Sequence, residues 1–204
     1  MPVYVLAGVN GAGKSSLGGA AIQASGAEFF NPDIAAARLR EQQPNLTVEQ
    51  ANGLAWTLGR RHLERALAEG LTYAFETTLG GASITRLLLE GGKAGAPVHV
   101  WFAGLATPEL HLRRIAARVA AGGHDIPEAK VRERFDASRS NLVKLMPHLA
   151  SLRVYDNSFE ADPRAGRRPQ PVLLLQMQAG RVVAHAPLRS IPAWAKPILA
   201  AALR

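Results

Sequence analysis

Near its start the chain carries Gly8-Val9-Asn10-Gly11-Ala12-Gly13-Lys14-Ser15, which satisfies G-x-x-x-x-G-K-[ST] at every fixed position. The apolar run Val3 to Ala7 precedes it, and a helix is expected from Lys14 to about Ala24. The fixed positions alone recur by chance in roughly one chain in a hundred of this length, and the strand–loop–helix context narrows that further. Glycines let backbone N–H groups converge without Cβ clashes. The following helix points its positive end at the same spot. The combination is a cradle for phosphate oxygens. Lys14 would reach the β- and γ-phosphates of a nucleoside triphosphate, and the Ser15 hydroxyl would ligate Mg²⁺. Gly8, Asn10, Gly11, Ala12, Gly13, Lys14, Ser15 and Ser16 are the residues expected to hold ATP or GTP with Mg²⁺.

Strand-like and helix-like stretches alternate after the loop. Glu28 to Phe30 is a short second strand, followed by Asn31-Pro32-Asp33 and a helix through Arg40. Thr47 opens the next helix, with Gln50 at capping-box spacing and Gly70 as its stop. Thr72 to Glu76 reads as a strand, Ser83 to Glu90 as a helix, and Gly91-Gly92 as a break. Val98 to Ala103 is a strand, and Thr107-Pro108 caps and starts a helix to about Ala121. Gly122-Gly123 interrupts it, and Pro127 begins another helix that runs to about Met146. Leu152 to Tyr155 is a strand. Val172 to Gln176 and Val182 to His185 flank Gly180 as a hairpin, expected at the sheet edge or as a small cap. Five βα units predict a doubly wound parallel sheet with helices on both faces.

Composition excludes several classes. The chain has 204 residues and no cysteine, so disulfide scaffolds, thiol nucleophiles and Cys-ligated metals fall away. No apolar run is long enough to span a membrane. No basic segment precedes the first apolar run, which breaks at Gly8, so no signal peptide and a cytoplasmic location are expected. Lys and Arg outnumber Asp and Glu by 24 to 16, a net charge of +8 that fits an acidic partner or a phosphorylated substrate. It also permits a nucleic-acid hydroxyl as substrate.

The strings GVNGAGKSS, FFNPD, FETTL, RVAAGGHDIPEAKVRERF and YDNS occur in that order. With them the chain resembles the zeta-toxin-like P-loop kinases, in a shorter GGH-containing branch, from about Val3 to Phe159. The resemblance implies a P-loop kinase core over residues 1–160. A basic Pro/Gly loop at 161–171 and a hairpin with a short helix at 172–204 would complete the domain. It implies ATP and Mg²⁺ as donor, and a small-molecule hydroxyl acceptor such as a nucleotide sugar or a nucleotide. It also brings the expectation of an acidic antitoxin partner, while the alternative of a nucleotide-binding toxin–antitoxin component with little turnover stays open.

The same resemblance distributes roles. Asp33 would accept the acceptor's hydroxyl proton or contact substrate or metal; it is also a natural N-cap for IAAARLR, a role that can coexist with the first. Glu76, with Thr77 and Thr78, would lie on the acceptor side and hold acceptor hydroxyls or a Mg²⁺-bound water; a buried glutamate satisfied by backbone N–H groups is the other reading. Arg118 and Arg134 would neutralise the moving phosphoryl group, Arg132 competing with Arg134 for that place. His124, in the Gly122-Gly123 hinge, would touch the phosphate or the acceptor, or serve only the turn. Asp156-Asn157-Ser158 would pass near the nucleotide base, which makes Asn157 a candidate, although any polar turn after a strand looks alike. Arg113 and Arg114 read as surface charges, and Trp56, Tyr73 and Trp101 as core or helix-packing aromatics rather than base-stacking platforms. Arg164, Arg167 and Arg168 form a basic loop.

Overall fold

The computed structural model describes residues 1–14, 17, 29–159 and 170–204. The helix expected after Lys14, the hydroxyls of Ser15 and Ser16, and the arginines of the basic loop lie outside the described residues.

β1 (Val3–Ala7), β2 (Phe29–Phe30), β3 (Tyr73–Thr77), β4 (Val98–Gly104) and β5 (Ser151–Asp156) are parallel. β6 (Val172–Gln178) and β7 (Arg181–His185) are antiparallel and continue the same sheet, in the order β2-β3-β1-β4-β5-β6-β7. The hairpin therefore sits at the sheet edge. β1 lies between β3 and β4, with Val5 opposite both Phe75 and Val100. The chain leaves β1 towards one side of the sheet and later returns to fill the other. That reversal opens a crevice at the strands' carboxyl ends.

The strand period of two divides the core. Val3, Val5 and Ala7 face one side with Phe75, Val100, Phe102, Leu152 and Val154. That side is covered by α2 (Val48–Glu69), α3 (Ala82–Lys93), α5 (Glu128–Leu145) and α6 (Lys196–Ala202), through Leu63, Leu88, Leu142 and Ile198. Leu6 and Ala74 face the other side, where Tyr4, Leu17, Phe29 and Trp101 pack. α1 (Pro32–Gln42) lies along α2, and α4 (Pro108–Ala120) packs Leu110 against Ala103 and Leu105. No helix among the described residues is long and apolar enough to cross a membrane.

Local signals set several helix ends. Thr47 Oγ1 accepts from Gln50 N–H while Gln50 Oε1 accepts from Thr47 N–H, the reciprocal capping box. Gly70 closes α2 in the left-handed region. Two expectations need correction. α3 does not break at Gly91-Gly92 but runs through to Lys93. A Cβ on Gly91 would lie 2.6 Å from Leu67 Cδ2, and one on Gly92 2.6 Å from the His148 carbonyl oxygen. These glycines serve close packing rather than chain reversal. Asp33 does not cap α1 either. Asn31 does, its Oδ1 accepting from the N–H groups of Asp33 (2.8 Å) and Ile34 (3.2 Å).

Candidate active site

The glycine loop follows β1 into the crevice. Gly13 has φ +78°, and a Cβ there would stand 2.3 Å from Asn157 Nδ2. At Gly8, φ +139°, a Cβ would stand 2.2 Å from the Ala103 carbonyl oxygen. Both positions need glycine on conformational and steric grounds. Gly8 N–H donates to Thr77 O and Ala12 N–H to Val9 O. The N–H groups of Gly11 and Gly13 have no acceptor among the described residues. Free amides in a glycine turn are what an anionic phosphate requires.

Lys14 is buried, its Nζ 3.3 Å from Glu76 Oε1 and 3.4 Å from the Val9 carbonyl oxygen. Asn31 Nδ2 donates to the other Glu76 oxygen at 3.1 Å. Glu76 is thus held by a lysine and an amide, not by backbone N–H groups. This glutamate is the negative end of a buried pair whose positive end belongs to the phosphate loop.

Asp33 is freed from capping by Asn31 and stays 41% exposed, reachable by a substrate. Arg118 Nη1 lies 3.8 Å from its Oδ2, and His124 Nε2 3.8 Å from its Oδ1. These separations mark an ion-pair cluster rather than hydrogen bonds. Arg118 also donates to the His124 carbonyl at 3.0 Å, which ties the hinge to α4. Its Nε is buried without a partner among the described residues. Arg134 Nη1 donates to Asn10 Oδ1 at 2.8 Å, so α5 reaches the loop directly.

Arg132 is placed elsewhere: it bonds Glu109 at 2.8 Å and Glu128 at 2.7 Å on the solvent side. The pairing holds the Glu109 carboxyl down at about 2. Two positions along a helix differ by about 200°, so both arginines could not face the loop. Thr77 and Thr78 border the cavity described below. Their hydroxyls accept from the N–H groups of Leu79 and Gly80, and Leu79 is held at φ +55°.

Asn157 is buried behind the loop, where its Nδ2 donates to the Ala12 carbonyl at 2.8 Å. Its own carbonyl accepts from Arg114 Nη2 at 2.8 Å. Arg114 is therefore not a plain surface charge but part of the brace beneath the loop. His111 is a second brace: fully buried, with Nδ1 2.8 Å from the Asn10 carbonyl oxygen. Burial, reinforced by the charges of Lys14 and Arg114, pushes this imidazole down to about 4 against the pull of that carbonyl. The ring is neutral at pH 7, and Nδ1–H is the donor. Nothing in the local sequence marks His111, because its partner lies 101 positions away.

A cavity of about 390 Å³ opens beside these groups, bordered by Asn10, Asp33, Glu76, His124 and Arg134. Its size suits a small molecule. Trp56 is a further correction: it is not a packing aromatic but is half-exposed and borders the same cavity. Tyr73 is buried and stacks on Phe75, as a packing aromatic should. Among the described residues no three His, Asp or Glu side chains cluster as metal ligands.

Comparison with known proteins places the fold and the family. A family model described as AAA domain matches residues 3–145. An uncharacterized protein of Haemophilus influenzae is 33% identical over 131 residues, 63% of this chain and 88% of that one. The AvrRxo1-ORF1:AvrRxo1-ORF2 complex solved with ATP is similar at a TM-score of 0.67 and 17% identity, over 98% of this chain and 63% of that chain. The present chain thus spans less than two thirds of that one. A putative kinase from Chloroflexus aurantiacus gives a TM-score of 0.56 at 15% identity, over 80% of this chain and 94% of that one. The PezAT toxin–antitoxin system of Streptococcus pneumoniae gives 0.52 at 16%, over 83% and 75%. At these identities the likeness to solved structures is one of fold. With the glycine loop at the end of β1 and the family match across most of its length, the chain belongs to the AAA domain family and has the P-loop kinase-like α/β fold.

Proposed function

We propose that the protein is an ATP-dependent phosphotransferase of the zeta-toxin-like kind, moving the γ-phosphate to a hydroxyl of a small acceptor, a nucleotide sugar or a nucleotide. The observation that carries this reading is the convergence of Asn10, Asp33, Glu76, His124 and Arg134 on one cavity beside the phosphate loop. A regulator that only binds nucleotide would have no use for an exposed carboxylate flanked by an arginine and a histidine.

Each residue has a task. Gly11 and Gly13 present amides to the donor's phosphates, and Lys14 adds charge once it turns from Glu76. Mg²⁺, when bound, would neutralise charge on those phosphates, with Ser15 as its protein ligand. Asp33 accepts the proton of the attacking hydroxyl. Glu76 and Thr77 orient the acceptor. Arg118 and Arg134 approach from α4 and α5 and stabilise the charge spread over the moving group. The turn at Gly122, φ +89°, lets the segment carrying His124 swing shut and exclude water. An acidic antitoxin partner belongs to the same reading, supported by the +8 charge and the likeness of fold to the PezAT system.

The test incubates the protein with γ-labelled ATP and a cell metabolite extract and identifies the labelled compound by mass spectrometry. The wild-type chain yields a labelled metabolite. Lys14→Ala abolishes ATP consumption. Asp33→Asn abolishes labelled product yet still binds ATP; product formation unchanged in that variant would remove the base assignment.

A further inference from the structure

The family match ends at residue 145. Up to that point 16 Lys and Arg face 13 Asp and Glu, whereas residues 146–204 hold 8 against 3. Most of the excess positive charge therefore lies in the part of the chain that builds β5, β6 and β7. One of its three carboxylates, Asp156, is buried on the core side, where it accepts from Trp194 Nε1 at 3.3 Å. On that side Leu152, Val154, Leu175 and Met177 are buried as well. The opposite side is different. Trp101, Arg153, Gln176 and Ala184 form one row across β4 to β7, and His99, Ser151, Gln178 and Arg181 form the next. Residues in register share a face. Arg153, Gln176 and the neighbouring Tyr155 are half-buried, while Gln178, Arg181 and Ala184 are exposed. Parallel strands such as β4 and β5 are ordinarily covered on both faces. Neither row contains a carboxylate. Arg153, Arg181, Gln176 and Gln178 have no hydrogen-bond or ion-pair partner among the described residues. Arg60, Arg65, Arg132 and Arg139, on helices, each pair with an acid.

We propose that this face of β5, β6 and β7 docks single-stranded nucleic acid, with Arg153 and Arg181 on its phosphates and Tyr155 against a base. Unpaired guanidinium groups suit phosphate oxygens, and no neighbouring carboxylate competes for them. A tyrosine ring offers a π-face to any base. The carboxamides of Gln176 and Gln178 carry both donor and acceptor, as base edges do. A single strand can turn base faces and edges towards a sheet, whereas a duplex hides its base faces in the stack. A second copy of the chain would set the arginines against one another. An acidic protein would meet the arginines but leave the ring and the amides without a counterpart. The concentration of charge beyond the family-matched segment fits a polyanion that engages the C-terminal part rather than the phosphate loop. The inference is independent of the phosphotransferase reading, and no step of that reaction passes through this face.

The experiment titrates the full chain into fluorescently labelled oligonucleotides of mixed sequence, single-stranded RNA and DNA and a DNA duplex, and reads anisotropy at several salt concentrations. We expect a single-strand Kd of about 1–100 μM near physiological salt, weakening steeply as salt rises. The double variant Arg153→Gln, Arg181→Gln should raise that Kd about tenfold or more and flatten the dependence of log Kd on log salt by about 1.4, the share of two phosphate contacts. Tyr155→Leu should raise Kd about fivefold or more with the salt dependence unchanged. Arg65→Gln, which removes a cation already paired with Glu69, should leave Kd within about twofold. Thermal unfolding shows that each variant is folded. No single-strand binding by the folded wild-type chain overturns the proposal, as does a Kd that the double variant or Tyr155→Leu does not move. Displacement of the oligonucleotide by ATP would place it on the phosphate loop instead and overturn it. Equal or tighter binding of the duplex, or of polyglutamate, would overturn the single-strand assignment. No phosphate transfer is measured in any arm, so each of these failures leaves the phosphotransferase reading standing, and failure of that reading leaves this surface to be judged by binding alone.

Discussion

Lys14 Nζ and Glu76 Oε1 stand 3.3 Å apart, and the two side chains are only 6% and 12% exposed. The lysine of the phosphate loop thus has a resident counter-charge, delivered by the neighbouring strand, before any nucleotide arrives. Removing one member of a buried pair strands the other, at a cost of about 3 kcal/mol or more. Glu76→Ala should therefore lower the unfolding midpoint in the absence of nucleotide. A triphosphate replaces the missing negative charge, so ATP should raise the midpoint of Glu76→Ala by more than it raises that of the wild type. Thermal unfolding with and without ATP checks both statements.

The two arginines of α5 make a paired prediction. Arg134 bonds Asn10 in the phosphate loop, while Arg132 bonds Glu109 and Glu128 in solvent. Arg134→Ala should reduce kcat about a hundredfold or more, the scale of losing one preorganised cationic donor. Arg132→Ala should leave kcat within about twofold, because exposed ion pairs contribute little. Steady-state kinetics on the same acceptor separates them.

Gly80 lies under Arg134. A Cβ there would stand 2.7 Å from Arg134 Cγ and 3.2 Å from its Cβ, whereas Gly81 has nothing within 4 Å. Gly80→Ala should push α5 off the turn after β3 and lower kcat several-fold with a small change in stability, on the order of 1 kcal/mol. Gly81→Ala should change neither. Activity and unfolding of the two neighbouring variants provide the check.

His111 makes stability depend on acid. Its folded imidazole titrates at about 4 instead of the ordinary 6.5. The unfolded chain therefore binds the extra proton first, and stability falls as pH drops from about 6.5 to about 4, by about 3 kcal/mol across that window. The contribution is fully present above pH 6.5. His111→Asn, which keeps a side-chain N–H but cannot titrate, should flatten the denaturation profile between those limits. A slope unchanged in that variant would show that another group is responsible.

Much of the scaffold was legible locally because its signals are short-range. The glycine loop, the Thr47–Gln50 capping box and the Pro108 start each depend on atoms a few positions apart. Gly91-Gly92 reads as a break in the sequence because a glycine that permits close packing and one that turns the chain look the same without the neighbours. The cap at Asn31 is hidden in the sequence because Asp33, two positions later, has the same chemistry. Trp56 reads as a packing residue in the sequence because hydrophobicity alone does not tell whether a helix edge meets a core or a cavity.

By itself the sequence determined the parts whose physics is contained in adjacent residues: the βα alternation, the phosphate loop, and which residue types could carry phosphoryl transfer. Only the tertiary structure decided which of them meet. Arg134 rather than Arg132 reaches Asn10, His111 braces a loop 101 positions away, and Asn31 with Lys14 fixes Glu76. The reason is geometric. Directed contacts of about 3 Å between distant segments depend on helix rotation and sheet order, which local propensities leave free.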